Sequence, residues 1–261
     1  MEVMNYLLDY LGVFLLVFAR ILGIFVTAPI FNYNNIPLYG KMGFSLFLAV
    51  ILVPMVNIPE ALELSHFYIM LFISAKELMT GMMIGFICYL FLSSVYLAGH
   101  IIDMEIGFSI ASVINPQDDT EIPIMANVLY FMATLMLLIT NGHHTLIRGL
   151  VQSFNMIPLN GLNMNIFMID KIISILITTF IISFKIAAPI LAAIFITNVL
   201  LGILARTMPQ MNVFVVGMPL KISVGLIVMV MIIPLYAGFF EYVFDSMFEN
   251  LKDFLSLINR G

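Results

Sequence analysis

The chain has 261 residues, of which 62% are apolar and 10% charged, with a formal net charge of −5, and its mean hydropathy is +1.13. A soluble domain carries about 25% charged residues, so this composition excludes a water-facing globule and points to an integral membrane protein. The acidic balance argues against nucleic acid, which asks for a basic patch, and the single Cys88 excludes an intramolecular disulfide.

A bilayer crossing needs about 20 predominantly apolar residues. The first such run covers residues 10–31, with Arg20 near its middle as its one charge. Glu2 and Asp9 stand where a signal peptide needs Lys or Arg, so a cleavable signal is not expected. Further runs cover 42–59, 67–98, 122–140, 172–205 and 213–240. Lys76 and Glu77 leave 78–98 as the cleaner core of the third. The run 172–205 is interrupted by Lys185 and Pro189 and reads as one long kinked helix, because proline removes a backbone bond and crowds the preceding turn. Pro29, Pro54, Pro123 and Pro234 read as helix boundaries. The basic residues do not orient six crossings: Lys41, Arg206 and Lys221 fall on one side, Arg148, Lys171, Lys252 and Arg260 on the other.

The connectors differ in character. Residues 99–121 hold Asp103, Glu105, Asp118, Asp119 and Glu121 and no Lys or Arg. Residues 141–171 form the longest polar stretch, and a domain boundary is expected there. From Phe240 onward Val243, Phe244, Met247, Phe248, Leu251, Leu255 and Ile258 recur at intervals of three and four, which predicts a helix with one apolar face. That helix either lies on the membrane or docks on a partner.

Ionisable groups at membrane depth are expensive and face protein or a watery cavity. Arg20, Lys76, Glu77, Lys185 and Lys221 qualify by position, and Arg20 is the clearest case. Lys185 and Arg206 bracket the charge-free residues 186–205 and read as side chains reaching out from helix ends. Gly81 and Gly85, four apart, allow a close helix contact, within the chain or with another subunit. Gly217, Lys221 and Gly225 share that spacing. The adjacent His143 and His144 lack a third ligand, so no metal is expected. No phosphate loop, nucleophile elbow or HExxH helix is present. Neither an enzyme nor a cofactor is indicated. Most of the 21 methionines read as adaptable packing.

The stretch Ala205-Arg206-Thr207-Met208-Pro209-Gln210-Met211-Asn212-Val213-Phe214-Val215-Val216-Gly217-Met218-Pro219-Leu220-Lys221 resembles the signature of the FliR family, the R subunits of the bacterial flagellar (type III) protein-export gate. In order, Phe18-Ala19-Arg20 with Gly23 and Ala28-Pro29, Ile102-Asp103 through Gly107-Phe108-Ser109 and Asn115-Pro116, and Asn141-Gly142-His143 with Pro158 also resemble it. The likeness covers nearly the whole chain.

The resemblance implies an all-α polytopic membrane protein of long kinked helices and helical hairpins, a fusion of the P-type and Q-type export-gate subunits. Residues 1–165 would be the P-like part and 166–261 the Q-like hairpin with its amphipathic C-terminal helix. It implies a structural and gating subunit that helps form and close the pore for unfolded flagellar proteins in the bacterial cytoplasmic membrane. Its partners would be P-type, Q-type and B-type gate subunits. Within the loop 106–123, Ile106, Gly107, Phe108, Ile110, Val113 and Ile114 would form the pore plug, with Gly107 as hinge. Ile110 and Val113 occupy positions that are bulkier and aromatic in the family, which leaves more of the seal to Phe108. Arg206, Pro209, Gln210, Asn212, Phe214, Gly217 and Pro219 would be the partner-binding turn, and Arg20, Lys76, Glu77 and Lys221 buried charges or subunit contacts. The alternative class is a secondary transporter for a small solute or ion. Pro189 and Arg20 suit it, but the two halves of the chain do not resemble each other.

Overall fold

A computed structural model describes residues 2–29, 37–56, 67–108, 123–162, 165–210 and 212–258, and they are helical with no strand among them. Helix α1 spans Glu2–Thr27, α2 Leu38–Leu52 with a 3-10 turn at Val53–Met55, and α3 Phe67–Ile106. Helix α4 spans Ile124–Ile139, α5 Gly142–Met156, α6 Ile166–Thr207 and α7 Val213–Ile258. Five stretches are long and apolar enough to cross a membrane: Tyr10–Thr27, Leu38–Met55, Tyr68–Ile106, Ile166–Thr207 and Val213–Ile258. The sixth expected crossing, 122–140, is only the 16-residue α4. It reaches spanning length only if α5, beyond the break at Asn141, is counted with it.

The helices are longer than the apolar runs suggested. The 46 residues of α7 extend to about 69 Å at 1.5 Å per residue, roughly twice a bilayer's hydrocarbon thickness. Lys76 and Glu77 sit inside α3 and do not end it. Pro189 lies within α6 as expected, whereas Pro234 is no boundary: α7 runs through both Pro219 and Pro234. A single missing N–H is tolerated because bonds on either side hold the helix, and breaking it in apolar surroundings would leave more backbone groups unpaired.

The chain forms two compact units. One comprises Met1–Leu90, Thr140–Leu176 and Asp245–Gly261, the other Phe91–Ile139 and Ile177–Phe244. In the first, α1 and α3 pack backbone to backbone. A Cβ on Gly23 would strike the Leu78 carbonyl, one on Gly81 the Arg20 carbonyl, and one on Gly85 the Thr27 hydroxyl. The small-residue pair of α3 is thus an intrachain contact. The C-terminal amphipathic face neither lies open nor awaits a partner: Met247, Leu251, Leu255 and Ile258 are buried, and Leu251 packs over Gly149 of α5. Periodicity disclosed the face but could not say what covers it.

In the second unit, Gly99 of α3 meets the Ala126 backbone of α4, and Gly225 of α7 receives the Ile106 side chain. Gly217 sits against Leu201 of α6. Tyr236 stacks on Phe240 with ring centroids 5.9 Å apart. An open groove of about 480 Å³ runs past Ile182, Ile186, Leu235 and Phe239, with Lys185 Nζ 5.7 Å from the Tyr242 ring centre.

Candidate functional site

Arg20, on the face of α1 that packs against α3, is wholly buried. Its Nε donates to Glu77 Oε2 at 2.5 Å, and both side chains have no solvent exposure. Nη1 donates to the carbonyls of Ser153 at 3.2 Å and Ile157 at 2.9 Å. Those carbonyls belong to the last turn and C-cap of α5, where a helix carries partial negative charge; the Ser153 carbonyl also accepts the Ile157 N–H at 2.8 Å. The guanidinium lies over the Phe154 ring, 4.4 Å from its centre, while Nη2 finds no acceptor among the described residues.

Glu77 completes the cluster. Its Oε1 accepts the Asn160 backbone N–H at 2.8 Å, and Asn160 has a φ of 64°, a conformation asparagine tolerates better than most residues. Lys76 Nζ donates to Asn160 Oδ1 at 3.2 Å and stands 5.3 Å from the Phe72 ring centre. One ion pair therefore ties α1, α3 and the end of α5 together. Such a pair gains little over an apolar replacement, but losing one partner strands the other charge. Of the five charges singled out in the sequence, Arg20, Lys76 and Glu77 meet here, while Lys185 stands beside the Tyr242 ring. Lys221 is half-buried in the second unit, one turn from Gly225. Ser153, Phe154, Ile157 and Asn160 were missed, because carbonyl acceptors and a backbone N–H carry no residue-type signal. The only hint was Pro158 in the quoted motif.

The mid-chain loop is described only at its two ends. Helix α3 stops at Gly107, whose φ is 99°, and the N–H groups of Gly107 and Phe108 both donate to the Asp103 carbonyl at 3.1 and 3.0 Å. This is a glycine-terminated C-cap. Helix α4 begins after Pro123, whose carbonyl accepts the Asn127 N–H at 3.2 Å. Ile106 is buried, while Gly107 and Phe108 are half-buried. Ile110, Val113 and Ile114 lie outside the described residues.

In the turn, Arg206, Pro209 and Gln210 are exposed. Asn212 caps α7: its Oδ1 accepts the Phe214 N–H at 3.1 Å and its carbonyl the Val215 and Val216 N–H groups. Phe214 is 68% exposed, an unusual position for an aromatic ring unless lipid or another chain covers it. Pro219 is exposed and Gly217 buried.

The chain matches the family described as bacterial export proteins, family 1, over residues 11–247. It is 38% identical to the flagellar biosynthetic protein FliR of Bacillus subtilis strain 168, covering 98% of this chain and 99% of that protein. It is 30% identical to the FliR of Escherichia coli K12, over 95% of each chain, and 26% identical to that of Aquifex aeolicus VF5, again over 95% of each. Nothing in these matches favours a solute transporter. With the apolar helices, they make the chain a multi-pass membrane subunit of the flagellar export apparatus, and it belongs to the FliR family of bacterial export proteins.

Proposed function

We propose that the chain is a non-enzymatic wall and closing element of the export channel in the bacterial cytoplasmic membrane. P-type and Q-type gate subunits assemble beside it, and a B-type subunit meets the turn from Arg206 to Pro219. Residues 1–165 serve as its P-like part and 166–261 as its Q-like part. The observation that carries this reading is uncovered apolar surface in a family member: within Ile166–Thr207 and Val213–Ile258, only 33% and 22% of an apolar 18-residue stretch is buried within the chain. Lipid and neighbouring subunits cover the rest. The segment from Ile106 to Pro123 closes the channel. Phe108, Ile110, Val113 and Ile114 supply apolar bulk that excludes water and ions as a dewetted constriction does, and Gly107, already in the left-handed region, provides the pivot.

The native complex tests both parts. P-like and Q-like subunits are expected to co-purify, and recovery of a monomer alone would refute the wall role. Deleting Gly107 to Asn115 is expected to leave the complex assembled and make the membrane leaky to ions and small solutes. An assembled deletion complex that stays tight rules out the closing role.

A further inference from the structure

We infer that the groove between α6 and α7 binds an acidic phospholipid, with Lys185 on the lipid's phosphate and the apolar wall on an acyl chain. The groove holds about 480 Å³, and Ile182 and Ile186 of α6 line it together with Leu235 and Phe239 of α7. Lys185 and Tyr242, both exposed, complete the lining, with Lys185 Nζ 5.7 Å from the ring centre. No carboxylate neutralises this lysine: among the described residues the ion pairs are Arg20–Glu77 and Lys171–Asp253. Glu241 precedes Tyr242 in the chain and still forms no pair with Lys185. Gly238 also faces the groove, and an added Cβ there would meet no described atom within 4 Å.

The level of Lys185 identifies the occupant. On α6 it opens the charge-free residues 186–205, which Arg206 closes; on α7 the charge-free residues 222–240 run from Lys221 to Glu241. At 1.5 Å per residue these stretches extend to about 30 and 28 Å, close to the roughly 30 Å of a bilayer's hydrocarbon core. Lys185 and Tyr242 therefore stand where the apolar band ends and headgroup phosphates begin, the level at which a tyrosine ring and a lysine head are at ease. A lipid brings an anion and a chain to this level in the same order as the groove presents a cation and an apolar wall. The Tyr242 ring steadies the ammonium without cancelling its charge, so a full positive charge is left for a ligand. A zwitterionic headgroup carries its own ammonium beside the phosphate, which favours a lipid of net negative charge. A neighbouring helix laid over the groove would have to bring a carboxylate to the same level, because a lysine buried without a partner is costly.

The test places the native export complex in nanodiscs that contain phosphatidylglycerol or phosphatidylcholine with a photoactivatable diazirine in the acyl chain, and maps the crosslinked peptides. Phosphatidylglycerol is expected to label the groove peptides of α6 and α7 about fivefold more than phosphatidylcholine, the worth of one lysine against an acidic lipid, and by a smaller margin at high salt. Lys185→Ala is expected to bring phosphatidylglycerol down to the phosphatidylcholine level, and Lys185→Arg to keep the preference. Gly238→Leu, which puts a side chain into the groove where a Cβ has room, is expected to lower labelling by both lipids at Leu235 and Phe239. Equal labelling by the two lipids in the unaltered complex overturns the acidic-lipid site, as does a preference that survives Lys185→Ala. Unchanged labelling in Gly238→Leu places the acyl chain elsewhere and overturns the groove. Absence of groove labelling by either lipid means that a neighbouring subunit covers this face, and the proposal falls. Should Lys185→Ala fail to assemble, Lys185→Gln, which keeps most of the stem, carries the same measurement.

Discussion

The Arg20 cluster and the α6–α7 arms use the same apolar alphabet to opposite ends. Over an apolar 18-residue stretch of each helix, 50% is buried in Tyr10–Thr27 and 56% in Tyr68–Ile106, against 33% and 22% in the two arms. In the first region the glycines are filled: Gly23, Gly81 and Gly85 each meet backbone or a hydroxyl of the facing helix. In the arms, Gly217 and Gly225 meet only the side chains of Leu201, Val213 and Ile106, and Gly202 and Gly238 have no described atom within 4 Å of an added Cβ. Charge divides the same way. Arg20 has an acid, two carbonyls and a ring around it, whereas among the described residues Lys185 has only the Tyr242 ring. One region is finished within the chain; the other presents surface that something else must cover.

The sharpest way to break this comparison is to open the finished region. Glu77→Ala strands Arg20 in a site without solvent access and is expected to cost about 3–5 kcal/mol, read as a lowered denaturation midpoint and loss of export. Arg20→Leu, which leaves Glu77 unpaired, should fall in the same range. The double variant Arg20→Leu/Glu77→Leu should lose much less than the two singles combined, because no charge is then abandoned. Simple addition of the two losses would mean that the pair is not the unit that matters.

Glycines give the next contrast. Gly81→Ala must move α1 away from α3 and should destabilise the chain by roughly 1–3 kcal/mol. Gly202→Ala has room and should raise the stability of the isolated chain by up to about 1 kcal/mol through helix propensity. It should nevertheless reduce the yield of assembled complex if a neighbouring backbone seats there. Full assembly of Gly202→Ala would show that surface to be covered by lipid or by side chains only.

Gly107→Ala forces a methyl group onto a φ of 99° and should cost about 1 kcal/mol, seen as faster exchange at the end of α3. The smallest effect is expected at Lys171–Asp253, an ion pair at 3.0 Å with side chains 18% and 59% exposed. Removing Lys171 should change stability by less than about 1 kcal/mol, and less still at high salt. A large loss there would show that the docked end of α7 depends on charge more than on its buried apolar face.

Much of this was legible in the chain itself. Composition alone required a membrane protein, because too few charges exist to wet a surface. The centre of an apolar run required that Arg20 be buried, and the period of three and four after Phe240 required one apolar face. The order of motifs identified the family. What sequence could not decide was who meets whom. Arg20 finds Glu77 from 57 positions away and carbonyls from 133 and 137 away, and carbonyls are common to every residue type. Pro234 resembled a stop, yet α7 continues, since helix continuity depends on the bonds around a proline as well as on the proline. The amphipathic end of α7 found its cover within its own chain. Asp103 was one acid among five in a connector until folding placed its carboxylate on the Met125 and Ala126 N–H groups at the start of α4. Local pattern records what a residue must avoid, chiefly unpaired charge and wetted apolar surface; the partner that satisfies it is chosen by distance in space, which only the tertiary structure decides.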